Sequence, residues 1–178
     1  MAETGLDRRS EVLEAAEKLF SARGYEATSV RDIADVLAIK PGSLYSHIST
    51  KEDLLWEIVT RAADRFFESV RPIAESNLVT VEKLKRAIAA HVAVLTKSAP
   101  AAGIYTTEWR HLGEPRRTQF TTRRDEYEKM FRRMVHDAIR EGAFSDVDEK
   151  FATLHILSSL NWIYQWYRPD GAMTPEEI

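Results

Sequence analysis

The chain has 178 residues, no cysteine, and 25 basic against 28 acidic side chains, a formal charge of −3 at pH 7. That length suits one or two small domains with enough core to fold unaided, and the net charge by itself does not announce nucleic-acid binding. Disulfides, thiolate catalysis and cysteine–metal sites are excluded. The polar start Met1-Ala2-Glu3-Thr4-Gly5 lacks the apolar region of a signal peptide and no apolar run approaches spanning length, so a cytoplasmic protein with no membrane partner is expected.

The first helix is expected from about Arg8 to Arg23, with Val12, Ala15, Ala16, Leu19 and Phe20 on one face and Gly24 as its stop. A short second helix carries Val30, Ile33, Ala34 and Leu37 at helical spacing, and Ala34 is small where two helices approach. A third runs from Pro41 to His47, proline suiting a first turn whose N–H would be unpaired anyway. Thr50-Lys51-Glu52-Asp53 has the pattern of a capping box and opens a fourth helix, with Leu54, Leu55, Ile58, Val59, Ala62, Phe66 and Val70 inward and Pro72 ending or bending it. Two short helices, a tight turn and a capped helix make a helix-turn-helix, which puts one helix in the major groove of DNA. The segment from Ser29 to Lys51 holds Arg31, Lys40 and Lys51 against Asp32 and Asp35. This balance is only faintly positive, so most phosphate contacts are expected from hydroxyls and backbone N–H groups.

A polar break at Asn77 to Thr80 precedes a second helical part. Helices are expected over about Val81–Lys97, over Pro100–Leu112 with Gly113 as stop, and from near Pro115 to just before Gly142, the last about 39 Å long at ~1.5 Å per residue. A final helix is expected from Asp146 or Asp148 to Tyr167, stopped by Pro169 and Gly171. It is apolar nearly all round, so a partner chain is expected to cover one side of it, through a four-helix dimer seam that Leu160 and Ile163 help to form. Thr174 to Ile178 looks like the start of a further helix. The fold class is all-α, with a helix-turn-helix DNA-binding domain at 1–50, a connecting helix at 51–75 and a helical-bundle ligand-binding and dimerisation domain at 76–178.

The run Glu14-Ala15-Ala16-Glu17-Lys18-Leu19-Phe20-Ser21-Ala22-Arg23-Gly24-Tyr25 and the segment Thr28 to Asp53 resemble the N-terminal domain of the tetracycline-repressor (TetR) family of bacterial transcription regulators. The chain departs from the family pattern at three points. Ala38 stands where glycine is usual in the turn, Lys40 where a Ser or Thr cap is usual, and Ile48 where Phe is usual. A left-handed turn at Ala38 costs more than at glycine. The resemblance implies a homodimeric regulator of a palindromic double-stranded DNA operator, and a full C-terminal helix is usual beyond the region of Ile178. From their positions, Thr28, Ser29, Tyr45, His47 and Lys51 are expected on the DNA backbone, with Lys40, Gly42, Ser43 and Ser46 nearest the bases.

Nothing in the sequence supports an enzyme. Gly-rich phosphate loops and a nucleophile elbow are missing. The histidines at 47, 91, 111, 136 and 155 form no ligand constellation, so no metal site and no cofactor are expected. Pairs such as Glu108 with His111, and His136 with Arg140, read as ordinary helix-surface neighbours. Aromatic and polar side chains do cluster on two helices, at Tyr105, Glu108, Trp109, Arg110 and at Asn161, Trp162, Gln165, Trp166. They read either as core and dimer seam or as an apolar effector tunnel with a few polar groups. Trp166-Tyr167-Arg168-Pro169-Asp170-Gly171 and Glu108-Trp109-Arg110 also resemble TetR-type repressors of fatty-acid and steroid degradation, which respond to acyl-coenzyme A (acyl-CoA) thioesters. That resemblance implies an acyl chain among Tyr105, Trp109, Asn161, Trp162 and Gln165. The coenzyme A phosphates would then lie near Arg110, Arg116, Arg117 or Arg123, since phosphate needs fixed cations. A sensor of drugs or other aromatic compounds, and a helical lipid carrier or interaction module, remain the alternatives.

Overall fold

Ser29 and Thr50 start helices by the same device. The Ser29 hydroxyl accepts from the Asp32 N–H at 3.2 Å while the Asp32 carboxylate accepts from the Ser29 N–H at 2.7 Å. Thr50 and Asp53 repeat the exchange at 3.1 and 2.7 Å. Each box satisfies N–H groups that a helix start leaves open. The computed structural model describes residues 3–145 and 147–178, with side chains from residue 8 onward. Among these residues there is no strand. The order begins α1 (Glu3–Arg23), α2 (Val30–Val36), α3 (Pro41–Leu44) and α4 (Lys51–Ala74). It continues with α5 (Thr80–Lys97), α6 (Ala99–Thr107), a 3₁₀ turn at Glu108–His111, α7 (Arg116–Arg140), α8 (Glu149–Asn161) and α9 (Ile163–Trp166).

Helices α1, α2 and α3 close over the N-terminal half of α4, burying Val12, Ala16, Phe20, Ile33, Leu44, Leu54 and Ile58. The turn between α2 and α3 passes through Ala38 at φ +52°. An L-residue there costs roughly 1–2 kcal/mol, so the departure from glycine is a real strain. Helix α4 runs on past Pro72 to Ala74 and is the spine of the second half, packing against α5, α6 and α7. Phe66, Tyr127 and Phe131 fill the centre of that bundle, and no single helix among the described residues is long and apolar enough to cross a membrane.

Three expected helices differ in form. The third, expected over Pro41 to His47, is a single helical turn at Pro41–Leu44 capped by Tyr45, with residues 45–47 in a turn. The segment expected as one helix over 100–112 is α6 followed by the tighter 3₁₀ turn, with Leu112 N–H bonded to the Trp109 carbonyl at 3.1 Å. The last helix breaks after Asn161. It starts at Asp148, whose carboxylate accepts from the Phe151 N–H at 2.7 Å, while the alternative start at Asp146 lies outside the described residues. The apolar circumference of this segment serves two faces. Thr153, Leu160 and Ile163 point into the protomer's own core, whereas Phe151, Leu154, Trp162 and Trp166 are exposed. The expectation that Leu160 and Ile163 form the seam is therefore corrected: at 8% and 3% exposure they are core residues. The stretch Thr174–Ile178 forms a single 3₁₀ turn at Pro175–Glu177, with Ile178 against the core.

Candidate functional site

Helix α3 sits on the outside of the N-terminal part with Gly42, Ser43, Tyr45 and Ser46 exposed, Tyr45 at 57%. Lys40 caps α3 without a side-chain hydrogen bond and is also exposed. His47 is half-buried, and its carbonyl accepts from Arg9, which also pairs with Glu57 at 2.6 Å. This contact ties the end of the reading helix to α1 and α4. Ser29 is exposed but engaged as the cap of α2. Thr28 is buried, with its hydroxyl donating to the Gly24 carbonyl at 2.9 Å. Lys51 turns inward as well, donating to the carbonyls of Tyr25 and Thr28 at 2.7 and 2.8 Å and standing 4.0 Å over the Tyr25 ring. Desolvation lowers its pKa. The phosphate contacts expected of Thr28 and Lys51 thus meet side chains already spent on closing the turn after α1.

In the second half, α5, α6, α7 and α8 surround a cavity of about 270 Å³ lined by aromatic and aliphatic side chains (Tyr105, Trp109, Tyr127, Leu154, Leu157), by the polar His91 and Asn161, and by the charged Arg124, Asp125 and Glu128. Its size is near the lower end of ordinary ligand pockets, roughly 300–1,000 Å³. Larger hollows of about 480 and 520 Å³ lie under α3 and between α1 and α6. The former is lined by arginines and acids that pair with each other, among them Arg9 with Glu57 and Arg116 with Asp53. The smaller cavity gathers three polar atoms without partners, against one, Thr60 Oγ1, in the hollow under α3. His91 Nε2, Trp109 Nε1 and Asn161 Oδ1 are buried and make no hydrogen bond among the described residues. A buried unpaired polar group is costly, and such groups are few in native proteins.

His91 is 1% exposed, and its Nδ1 meets the Tyr127 hydroxyl at 2.9 Å. Burial pushes the imidazole down to about 3, so it is neutral at physiological pH. Asn161 lies close enough to oppose that shift, yet no bond of ordinary length and angle joins the two side chains. Burial likewise raises the pKa values of Tyr127 and Tyr105 and keeps both neutral. The aromatic and imidazole groups of the cavity are therefore neutral, and its charged lining is Arg124, Asp125 and Glu128. Arg110 and Arg124 lie 5.5 and 5.0 Å from the Trp109 ring. Among the described residues neither makes an ion pair.

The 3₁₀ turn that carries Trp109 also grips the N-terminal part. Glu108 accepts from the Tyr25 N–H at 2.8 Å, and His111 stacks on the Tyr25 ring at 5.5 Å while lying 3.3 Å from Glu26. Arg116 reaches Asp53 at 2.5 Å and Glu52 at 3.4 Å, and Glu52 also accepts from the Gly113 N–H at 3.3 Å. Glu108 and His111, read as surface neighbours, do lie 3.7 Å apart, and they also form one of the contacts between the two halves.

Of the expected effector residues, the fold brings Tyr105, Trp109, Asn161 and Arg110 together. The others lie elsewhere. Arg116 is on Asp53, Arg117 pairs with Glu114 at 3.0 Å, and Arg123 pairs with Asp64 at 2.6 Å. Trp162 is 61% exposed, and Gln165 donates to the Tyr164 hydroxyl at 2.6 Å on the α1–α6 side. Sequence reasoning missed His91, Tyr127 and Arg124. His91 sits in register with Leu84, Ala87 and Leu95 on the buried face of α5, which is the signal that was available.

Residues 12–58 match the family described as bacterial regulatory proteins, tetR family, and residues 77–178 match a tetracyclin repressor-like C-terminal domain. The HTH-type transcriptional repressor KstR2 of Rhodococcus jostii (strain RHA1) is 33% identical over 174 residues, spanning 96% of this chain and 85% of that protein. The structure of the ketosteroid transcriptional regulator KstR2 of Mycobacterium tuberculosis superposes with a TM-score of 0.89 at 32% identity, covering 96% of this chain and 88% of that one. A second similar structure is AibR in complex with isovaleryl coenzyme A and operator DNA, with a TM-score of 0.86, 29% identity, and coverage of 96% and 92%. With both halves matched, the chain belongs to the tetracycline-repressor family of bacterial regulatory proteins, which are not enzymes.

Proposed function

We propose that the protein is a transcriptional repressor that binds a palindromic operator as a homodimer in the cytoplasm and is released by an acyl-CoA thioester. The observation that carries the reading is the Glu108–His111 turn. It holds Trp109 on the cavity and Glu108 and His111 on Tyr25. A ligand that moves Trp109 changes the support of α1 to α3, and hence the spacing of two reading heads. The ligand acts only through unequal affinity for the two spacings. Lys40, Gly42, Ser43, Tyr45, Ser46 and His47 are the DNA-facing set, with N–H groups and hydroxyls as the main phosphate partners.

The acyl-CoA reading is supported by a cavity with neutral aromatic walls beside the cations Arg110 and Arg124, and by the ligand in the similar AibR structure; the lining carboxylates Asp125 and Glu128 oppose it. The cavity takes an acyl group. The nucleotide would lie outside against Arg110 and Arg124 rather than against the paired Arg116, Arg117 and Arg123. Those paired arginines make the rim less basic than the sequence suggests, which is the observation favouring a sensor of drugs or aromatic compounds. Calorimetry separates the two. Acyl-CoA binding that falls at least tenfold in the variant Arg110→Gln/Arg124→Gln supports the first reading. Equal binding of free fatty acid and its CoA thioester, or binding of neither, supports the second.

A further inference from the structure

The cavity is unusual less for its aromatic walls than for what those walls leave unpaired. Trp109 Nε1–H is a donor with no acceptor, and Asn161 Oδ1 makes no hydrogen bond of ordinary geometry although the His91 imidazole is near enough for Asn161 to oppose its pKa shift. His91 Nε2 is also unpartnered. It acts as donor or acceptor according to which way the Tyr127 hydroxyl bonds to Nδ1. These atoms come from three elements, the 3₁₀ turn, α8 and α5, and they line one cavity. Packing alone does not account for them, because an apolar side chain at each position would fill the space without an unmet hydrogen bond.

Resting on the acyl-CoA reading above, we infer that the effector's acyl group carries an uncharged oxygen function, a hydroxyl or a keto group, received by Trp109, His91 and Asn161. A carboxylate in that place is disfavoured. The imidazole is neutral, both tyrosines are protonated, and the charged lining is Arg124 against the two carboxylates Asp125 and Glu128, so an anion there would be desolvated without a net positive partner. A plain hydrocarbon chain is disfavoured for the opposite reason, since it leaves the polar atoms unmet. A site built to hydrogen-bond an oxygen rejects the analogue lacking it far more strongly than a hydrophobic pocket rejects an extra methylene.

The test compares hexanoyl-CoA with its 3-hydroxy, 3-oxo and 6-hydroxy derivatives by calorimetry on the intact dimer. At least one oxygenated thioester is expected to bind ten times or more tighter than hexanoyl-CoA, and that preference is expected to shrink several-fold in Trp109→Phe and Asn161→Leu. A second readout needs no effector. Asn161→Leu removes an unpaired polar atom, so the ligand-free protein should melt at the same temperature as wild type or higher. A lowered melting temperature makes Asn161 structural and overturns its assignment. Hexanoyl-CoA binding as tightly as every oxygenated derivative overturns this inference and leaves the acyl-CoA reading standing. If no thioester binds, the acyl-CoA reading fails and the inference fails with it.

Discussion

Substitution of Trp162 by serine should dissociate the dimer while leaving the protomer folded. Trp162 is 61% exposed and lies in line with Phe151, Leu154 and Trp166 along α8 and α9. An aromatic side chain buries roughly 150–250 Å², so covering the exposed part of this one removes about 120 Å² from water. At about 25 cal/mol/Å² that is about 3 kcal/mol. A two-fold interface counts it twice, for at most about 6 kcal/mol or roughly 10⁴-fold in the dissociation constant. Light scattering or sedimentation over a concentration series reads this directly. The contrast is Leu160→Asp. Leu160 faces the protomer's own core, so the buried charge should lower the melting temperature sharply rather than release a folded monomer. The reasoning is refuted if Trp162→Ser keeps the wild-type dissociation constant, or if Leu160→Asp gives a stable folded monomer.

Ala38→Gly should stabilise the fold by about 1 kcal/mol, read as a higher denaturant midpoint at unchanged slope, since φ +52° strains alanine and not glycine; no gain would mean that the turn is not strained. His91 is held at about 3 in the fold, against about 6.5 when unfolded. For a base with a depressed folded pKa, the unfolded chain takes up the proton first. Its contribution is therefore complete above pH 6.5 and is lost as pH falls from 6.5 towards 3, by about 1.4 kcal/mol per pH unit. His91→Phe should flatten the stability-versus-pH curve across that window, and an unchanged slope would contradict the burial argument. Glu108→Gln removes the charge from the bond to the Tyr25 N–H. It should leave effector affinity near wild type but cut the effector's power to release operator about tenfold, as read by fluorescence anisotropy with and without ligand. Unchanged release would place the coupling elsewhere.

The N-terminal half was legible because its signals are local. The Thr50–Asp53 box, Pro41 at the start of α3 and Gly24 after α1 each act within a few residues, and each appears where the sequence puts it. Ser29 was read for DNA, although Ser29 to Asp32 carries the same capping spacing as Thr50 to Asp53. The effector site was legible only in part, since its geometry is tertiary. Arg116 sits beside Arg117 in sequence, but its partner Asp53 is 63 residues away. No local pattern says that this cation is an interdomain clamp and that Arg124 is at the cavity rim. The final apolar segment shows the same limit. Composition leads to the expectation that α8 and α9 are covered on all sides, but not to which of Leu160 and Trp162 faces the protomer's own core.

The proposed repressor couples sequence-specific DNA binding to a small molecule in the α5–α8 cavity. The direct measurement is filter binding of the intact protein to fragmented cellular DNA, followed by titration of the retained fragment with acyl-CoA thioesters. Wild type is expected to retain a small set of fragments with two-fold symmetry, which Tyr45→Ala loses, and to release them with a thioester but not with the corresponding free acid. Uniform retention of all fragments, or specific retention that no thioester and no free acid weakens, would contradict it.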